Sequence, residues 1–117
     1  MSESMIFMPA GFVESVKYTD IYDYYNIKYF GHRLPVVRVG FYKDCKRECG
    51  ATVKLDGARY PAYIYLNAKL KTFDVYLRAT LLHEMCHVKL LNRHGHGPKF
   101  KKELKRLQRI GAYDDIL

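Results

Sequence analysis

The sequence predicts a single α+β domain, in which one helix precedes a small antiparallel sheet and two further helices follow it. Its 117 residues fit one hydrophobic core, and 49% of them are apolar, as in ordinary globular proteins. Apolar residues recur at helical spacing in three segments, and three short segments between the first two helices have the composition of strands. We place the domain at residues 13–117, after an irregular arm at residues 1–12.

The first helix is predicted at residues 16–30, where apolar side chains recur every three or four positions and Gly31 suits a C-terminal cap. Pro35 then forces an extended chain. Three strands are predicted from their β-branched and aromatic residues and from alternating polarity. They lie at residues 36–42, 51–55 and 63–67. The short spacing between them favours an antiparallel sheet.

The longest helical segment is predicted at residues 73–91. It is apolar on most of its sides, which is typical of a buried central helix. A loop follows at residues 92–97, and Pro98 fits the first turn of a closing helix because its missing N–H costs nothing there. The closing helix has an apolar stripe that should face the core. The stripe consists of Phe100, Leu104, Leu107 and Ile110.

The central helix contains the segment HEMCH at residues 83–87, which carries the candidate chemistry. Histidines four positions apart project from one face of a helix, so His83 and His87 can reach one metal ion. Glu84 points about a quarter turn away, where it can accept a proton from water. Two satisfied core histidines are the alternative, but an ionised Glu84 in an apolar helix is costly unless a cation is near. The pattern therefore predicts a zinc site with Glu84 as general base.

A catalytic zinc site needs a third protein ligand and an open fourth position. Peptidases of the astacin and matrix type would require glycine at position 90 and histidine at position 93. This chain has Leu90 and Arg93 there, so that class is excluded. His94 and His96 both lie in the loop that leaves the metal helix, and spacing alone does not decide between them. The strand at residues 63–67 precedes the metal helix, and an extended peptide could pair with it.

Two segments resemble the SprT-like family of metallopeptidases, to which the DNA-dependent protease Spartan belongs. They are TLLHEMCH at residues 80–87 and GHGPKF at residues 95–100, and the similarity runs from about residue 21 to residue 110. The resemblance implies a zincin-like fold and a zinc endopeptidase that is stimulated by DNA and acts on DNA-bound or DNA-crosslinked proteins. It also implies that His96 is the third ligand, so that His83, His87 and His96 bind one Zn²⁺ per chain.

Positive charge is concentrated near the carboxyl end. The chain has a net charge of +8, and residues 89–109 hold eight basic residues against one acidic residue, a net +7. Such clustering indicates an anionic partner, nucleic acid before a membrane surface, although a solvated helix face is an equally open interpretation. We predict that the closing helix contacts DNA, including single-stranded DNA. The predicted contacts are Lys101, Lys102, Lys105, Arg106 and Arg109.

Three cysteines form no disulfide framework, and the first dozen residues lack the features of a signal or transit peptide. No apolar run has the length of a membrane span. The sequence therefore predicts an intracellular protein, cytoplasmic or associated with DNA, with no membrane partner. Two alternative functions stay open. One is a nucleic-acid-binding module with a structural or vestigial zinc site, and the other is a peptidase of soluble proteins whose basic face is only solvated.

Overall fold

The computed structural model describes residues 10–55, 57–59, 61–90 and 96–116. Within these ranges the chain forms three α-helices, four strands and one turn of 3-10 helix, which confirms the α+β class. The elements are β1 (Phe12–Glu14), α1 (Val16–Phe30), β2 (Arg38–Tyr42), β3 (Gly50–Val53), β4 (Tyr63–Asn67), the 3-10 turn (Ala68–Leu70), α2 (Asp74–Lys89) and α3 (Pro98–Arg109). Of the predicted arm, residues 1–9 lie outside the described ranges.

The four strands form one mixed sheet in the order β1-β2-β4-β3. β1 pairs antiparallel with β2, and β3 pairs antiparallel with β4, but β2 and β4 run parallel, with Arg38 opposite Tyr63. The predicted three-stranded antiparallel sheet is therefore wrong in strand number and in direction. The reason is topological: residues 43–49 carry the chain past the later position of β4 to the outer edge, and β4 then returns between β2 and β3.

This strand order decides which strand has a free edge. β4 is paired on both sides, so the expectation that a peptide adds to residues 63–67 is wrong. β1 and β3 are the outer strands of the described sheet, and α2 packs against both β3 and β4. The free edge of β3 therefore lies beside the helix that carries the predicted metal ligands.

Helix α1 begins and ends where its capping residues predict. The Ser15 hydroxyl accepts a hydrogen bond from the Tyr18 backbone N–H, and Gly31 takes the left-handed conformation at φ 62°. The Asn26 side chain accepts from the Leu34 N–H and donates to the Leu34 carbonyl, both at 3.1 Å, which fixes the chain before β2. The buried face of α1 is mainly aromatic. It is formed by Tyr18, Tyr22, Tyr25, Tyr29 and Phe30.

The core lies between the sheet and α2, and α3 closes it. On α3, Phe100 and Leu107 are buried and Leu104 is partly buried. Ile110 is 46% exposed, so the prediction that it faces the core is wrong: the helix ends at Arg109, and Ile110 belongs to the turn that follows. Among the helices of the described ranges, none has both the length and the hydropathy of a membrane span.

Candidate metal centre

Three histidine side chains converge where α2 meets the start of α3. His83 and His87 lie one turn apart on α2, and His96 lies two residues before α3. The ring centroids are 5.3 Å apart for His83 and His87, 5.0 Å for His83 and His96, and 5.2 Å for His87 and His96. One nitrogen of each ring lies within 4.8 Å of the other two. His94 falls in residues 91–95, outside the described ranges.

The three imidazoles fit a zinc ion in donor type and in spacing. Tetrahedral bonds of about 2.1 Å would separate the ligand nitrogens by about 3.4 Å, which small side-chain rotations reach from the observed positions. Burial, with the neighbouring His87 and His96, lowers the pKa of His83 from 6.5 to about 4. His83 is therefore neutral at physiological pH, the protonation state that binding a metal requires.

Phe100 contacts all three histidines. Its ring stacks on His87 at a centroid distance of 4.5 Å and lies 4.6 Å from His96 and 4.8 Å from His83. Pro98 occupies the first turn of α3, which places the buried Phe100 two residues later against the cluster. The sequence predicted Phe100 only as a core residue. The contacts of Phe100 relate the three parts of the segment GHGPKF, which are the candidate ligand His96, the helix start at Pro98 and the aromatic ring of Phe100.

Glu84 contacts β3 with its side chain and lines the same cavity as His83. Its side chain is buried, with 6% of the residue exposed. The Thr52 hydroxyl on β3 lies 2.9 Å from a carboxylate oxygen of Glu84 and 3.2 Å from its backbone carbonyl. Burial raises the pKa of Glu84, and the hydrogen bonds from Thr52 oppose that change. Thr52 could not be identified from the sequence, because nothing in its local pattern relates it to Glu84, 32 positions away.

An open cavity of about 400 Å³ lies between β3 and α2 and reaches His83 and Glu84. Gly50 allows the two elements to approach closely. A Cβ at that position would lie 2.7 Å from the Tyr65 carbonyl oxygen and 3.0 Å from the Thr80 methyl carbon. Any larger residue would therefore displace β3 both from β4 and from α2. The cavity brings the free strand edge, the candidate base and the histidine cluster together.

The predicted DNA-contacting residues of α3 are not equivalent. Lys101, Lys102, Lys105 and Arg109 are exposed. Arg106 is partly buried, and its guanidinium binds Glu103 at 2.5 Å. Glu103 is itself buried, so Arg106 differs from the four exposed residues in that its charge is paired with a buried acid.

A second cavity, of about 420 Å³, lies between the end of α2 and α3. We call it the basic pocket. It is lined by Lys89, Leu90, Lys99, Lys102, Glu103, Lys105, Arg106 and Arg109. Six of these eight residues are cationic. Of the predicted DNA contacts, Lys101 does not line the basic pocket. Lys89 and Lys99, which were not among the predicted contacts, do line it.

The model of the SprT-like family matches residues 18–114, which is most of the chain. The chain therefore belongs to the SprT-like family, and the resemblance seen in the sequence is confirmed. Membership is consistent with a metallopeptidase-like domain. No curated protein and no solved structure matches the chain significantly.

Proposed function

We propose that this SprT-like domain is a zinc-dependent endopeptidase, with His83, His87 and His96 as ligands and Glu84 as the general base. The convergence of three imidazoles near a buried carboxylate, at the wall of an open cavity, carries the proposal. A purely structural zinc site would have no use for a buried carboxylate that is not a ligand. It would also have no use for a cavity that reaches that carboxylate.

The proposed hydrolysis of a peptide bond would use both the metal ion and side chains of the protein. When bound, Zn²⁺ supplies a Lewis acid that polarises the scissile carbonyl and lowers the pKa of water to about 7. Glu84 accepts the proton of the attacking water and returns it to the leaving amine. Burial raises the pKa of Glu84 towards the working pH, which suits a group that acts first as base and then as acid. Thr52 holds the carboxylate in place by donating to it.

The free edge of β3 provides the means of holding a peptide. An extended chain laid along Gly50–Val53 would pair with unpaired backbone groups of the outer strand. Its backbone would then run past Glu84, because Thr52 of the same strand contacts that residue. Protein substrates would therefore bind as locally unfolded segments.

We further propose that the basic pocket binds the phosphate backbone of DNA, which would bring DNA-bound proteins to the cavity. Six cationic side chains line it against the single carboxylate of Glu103, and that carboxylate already pairs with Lys89 and Arg106. Contacts of this kind go to phosphates and carry little sequence preference. The family resemblance supplies the choice of DNA over other polyanions.

The proposal is tested by measuring zinc content and proteolysis on one set of variants. The wild type should hold one zinc per chain and cleave an unfolded protein. His96→Ala should lose most of the zinc, whereas His32→Ala, at an exposed histidine of the turn after α1, should keep it. Glu84→Gln should keep its zinc and fold, and its turnover should fall by roughly 100-fold or more.

Two outcomes would contradict the proposal. A zinc-loaded wild type that cleaves no protein, with or without DNA, would favour the nucleic-acid-binding module with a structural site. A Glu84→Gln variant with wild-type turnover would exclude Glu84 as the base. Proteolysis that is unaffected by DNA would instead favour a peptidase of soluble proteins.

A further inference from the structure

The cavity beside the metal centre has a marked chemical character. Apart from His83 and Glu84, none of the described residues that line it is acidic or basic. These residues are Cys49, Gly50, Tyr76, Ala79 and Thr80. The basic pocket, by contrast, is lined mainly by cations. Although the chain has a net charge of +8, the described residues that line the cavity beside the candidate base include no lysine or arginine.

The shape of the cavity follows from the spacing of its helical residues. Tyr76, Ala79, Thr80 and His83 occupy one face of α2 at steps of three, one and three residues. The floor of the cavity therefore extends along the helix for about 10 Å, or two turns, and ends at His83 and Glu84. Gly50 and Ala79 have little or no side chain, which leaves the space between strand and helix open. Tyr76 is 57% exposed and forms the far end of the cavity.

The volume is large enough for a ring. A dry cavity of about 150 Å³ holds benzene, and this open cavity measures about 400 Å³. A peptide that runs along β3 alternates its side chains between two directions, so one side chain next to the reacting carbonyl would point towards α2. The cavity is the space available to that side chain, because it adjoins both Glu84 and the strand.

We propose that this cavity binds a bulky apolar side chain of the substrate, aromatic or large aliphatic, next to the scissile bond. The inference rests on the proposed peptidase function and names its substrate class. A phenyl or large aliphatic group would bury its surface against Tyr76, Ala79 and the strand. An acidic side chain would lose its hydration beside Glu84, and the described lining residues include no lysine or arginine to pair with it. Because folded proteins bury such apolar residues, the preferred substrates are unfolded segments.

The test compares blocked peptides that differ only in one central residue, phenylalanine, alanine or aspartate, with cleavage sites mapped by mass spectrometry. For the zinc-loaded wild type, kcat/KM should be about 10- to 100-fold higher for the phenylalanine peptide than for the alanine peptide, and lowest for aspartate. Ala79→Leu fills the cavity with a good helix former, so the ratio of phenylalanine to alanine should fall about tenfold. Val75→Leu is the matched control, because Val75 is exposed on the same helix and does not line the cavity. It should keep the wild-type ratio.

A binding measurement separates failure of the subsite from failure of the proposed function. Zinc-loaded Glu84→Gln protein, with and without Ala79→Leu, is titrated against the same fluorescently labelled peptides, and fluorescence anisotropy reports affinity. Tighter binding of the phenylalanine peptide that Ala79→Leu abolishes supports the subsite even if the wild type cleaves no peptide. Equal cleavage of all three peptides would overturn the subsite and leave the peptidase intact. Equal binding of all three would overturn it as well.

Discussion

At the scale of single residues, the candidate base is defined by a contact with the sheet. Glu84 is buried on α2, and the Thr52 hydroxyl donates a hydrogen bond to its carboxylate at 2.9 Å. A carboxylate with no other restraint could rotate away from the reacting water. In the proposed mechanism Thr52 is therefore a positioning residue, and its strand links the candidate base to the proposed substrate-binding edge.

Removing the Thr52 hydroxyl should lower turnover without affecting the zinc site. Thr52→Val keeps the shape of the side chain, and a lost hydrogen bond to a charged group is worth about 1.5–3 kcal/mol. We expect kcat to fall by about tenfold or more, with little change in KM and unchanged zinc content. Thr52→Ser restores the hydroxyl and should recover most of kcat. If serine is as impaired as valine, Thr52 acts through packing.

The sequence predicts residues at this scale when their partners are local. His83, Glu84 and His87 follow from helical spacing alone, because one turn brings them to a common site. The choice of His96 over His94 needed the family resemblance, since a ligand on a loop has no periodicity. The burial of Glu103 and its ion pair with Lys89 could not be predicted for a related reason, because both depend on how α3 packs on α2.

At the scale of elements, the junction between α2 and α3 depends on one buried acid. Glu103 on α3 has a side chain only 7% exposed, and it accepts from Lys89 of α2 at 2.7 Å and from Arg106 at 2.5 Å. Burial alone would raise the pKa of Glu103, but the hydrogen bonds from Arg106 and Lys89 outweigh it and hold the pKa below its usual value. The ion pairs therefore stabilise the folded state only while Glu103 is ionised.

Neutralising this acid should destabilise the domain in a pH-dependent way. Glu103→Gln should lower the free energy of unfolding by about 2 kcal/mol at neutral pH, the scale of hydrogen bonds to charged groups. Because the folded-state pKa is lowered, the wild-type advantage is present above the ordinary glutamate pKa and is lost as the pH falls through the folded value. Denaturant unfolding of wild type and variant at neutral and acidic pH measures the loss of stability and its dependence on pH. Asp23→Asn, at an exposed site on α1, is the control. A deficit that persists in acid would indicate lost packing.

The bounds of the elements could be predicted from the sequence better than their arrangement. α1 and β4 begin and end where predicted, because Gly31 and local alternation determine them. Pro98 likewise marks the start of α3. Strand order depends instead on where residues 43–49 lead the chain, and no local pattern encodes that path. β1, with three residues, was too short to be recognised.

At the scale of the whole molecule, α2 connects the two candidate surfaces. The cavity is lined by α2 up to Glu84, and the basic pocket begins at Lys89 of the same helix. Five residues of helix separate them by about 8 Å along the axis. A protein bound to DNA that occupies the basic pocket would therefore lie close to the candidate base. The concentration of charge near the carboxyl end was predictable from composition, but its division into a pocket was not.

Charge reversal inside and outside the basic pocket distinguishes DNA binding at this pocket from binding that depends only on net charge. Lys102→Glu with Lys105→Glu reverses two exposed cations of the pocket and leaves the pairs of Glu103 with Lys89 and Arg106 in place. Affinity for single-stranded DNA should fall about tenfold or more at low salt. The slope of log affinity against log salt should flatten by about 1.4, since each of the two lost phosphate contacts removes about 0.7 on single strands. Anisotropy titrations of labelled DNA at several salt concentrations give both quantities.

The matched control is Lys46→Glu with Lys54→Glu, which changes the net charge equally at two exposed lysines that do not line the pocket. It should reduce affinity much less, because charges outside the pocket act only through the screened field of the molecule. Equal losses in both double variants would mean that binding follows net charge and that the pocket is not a site. If neither variant loses affinity, the basic face of α3 is only solvated. Zinc content should stay at the wild-type level in both variants, because none of the four lysines belongs to the histidine cluster.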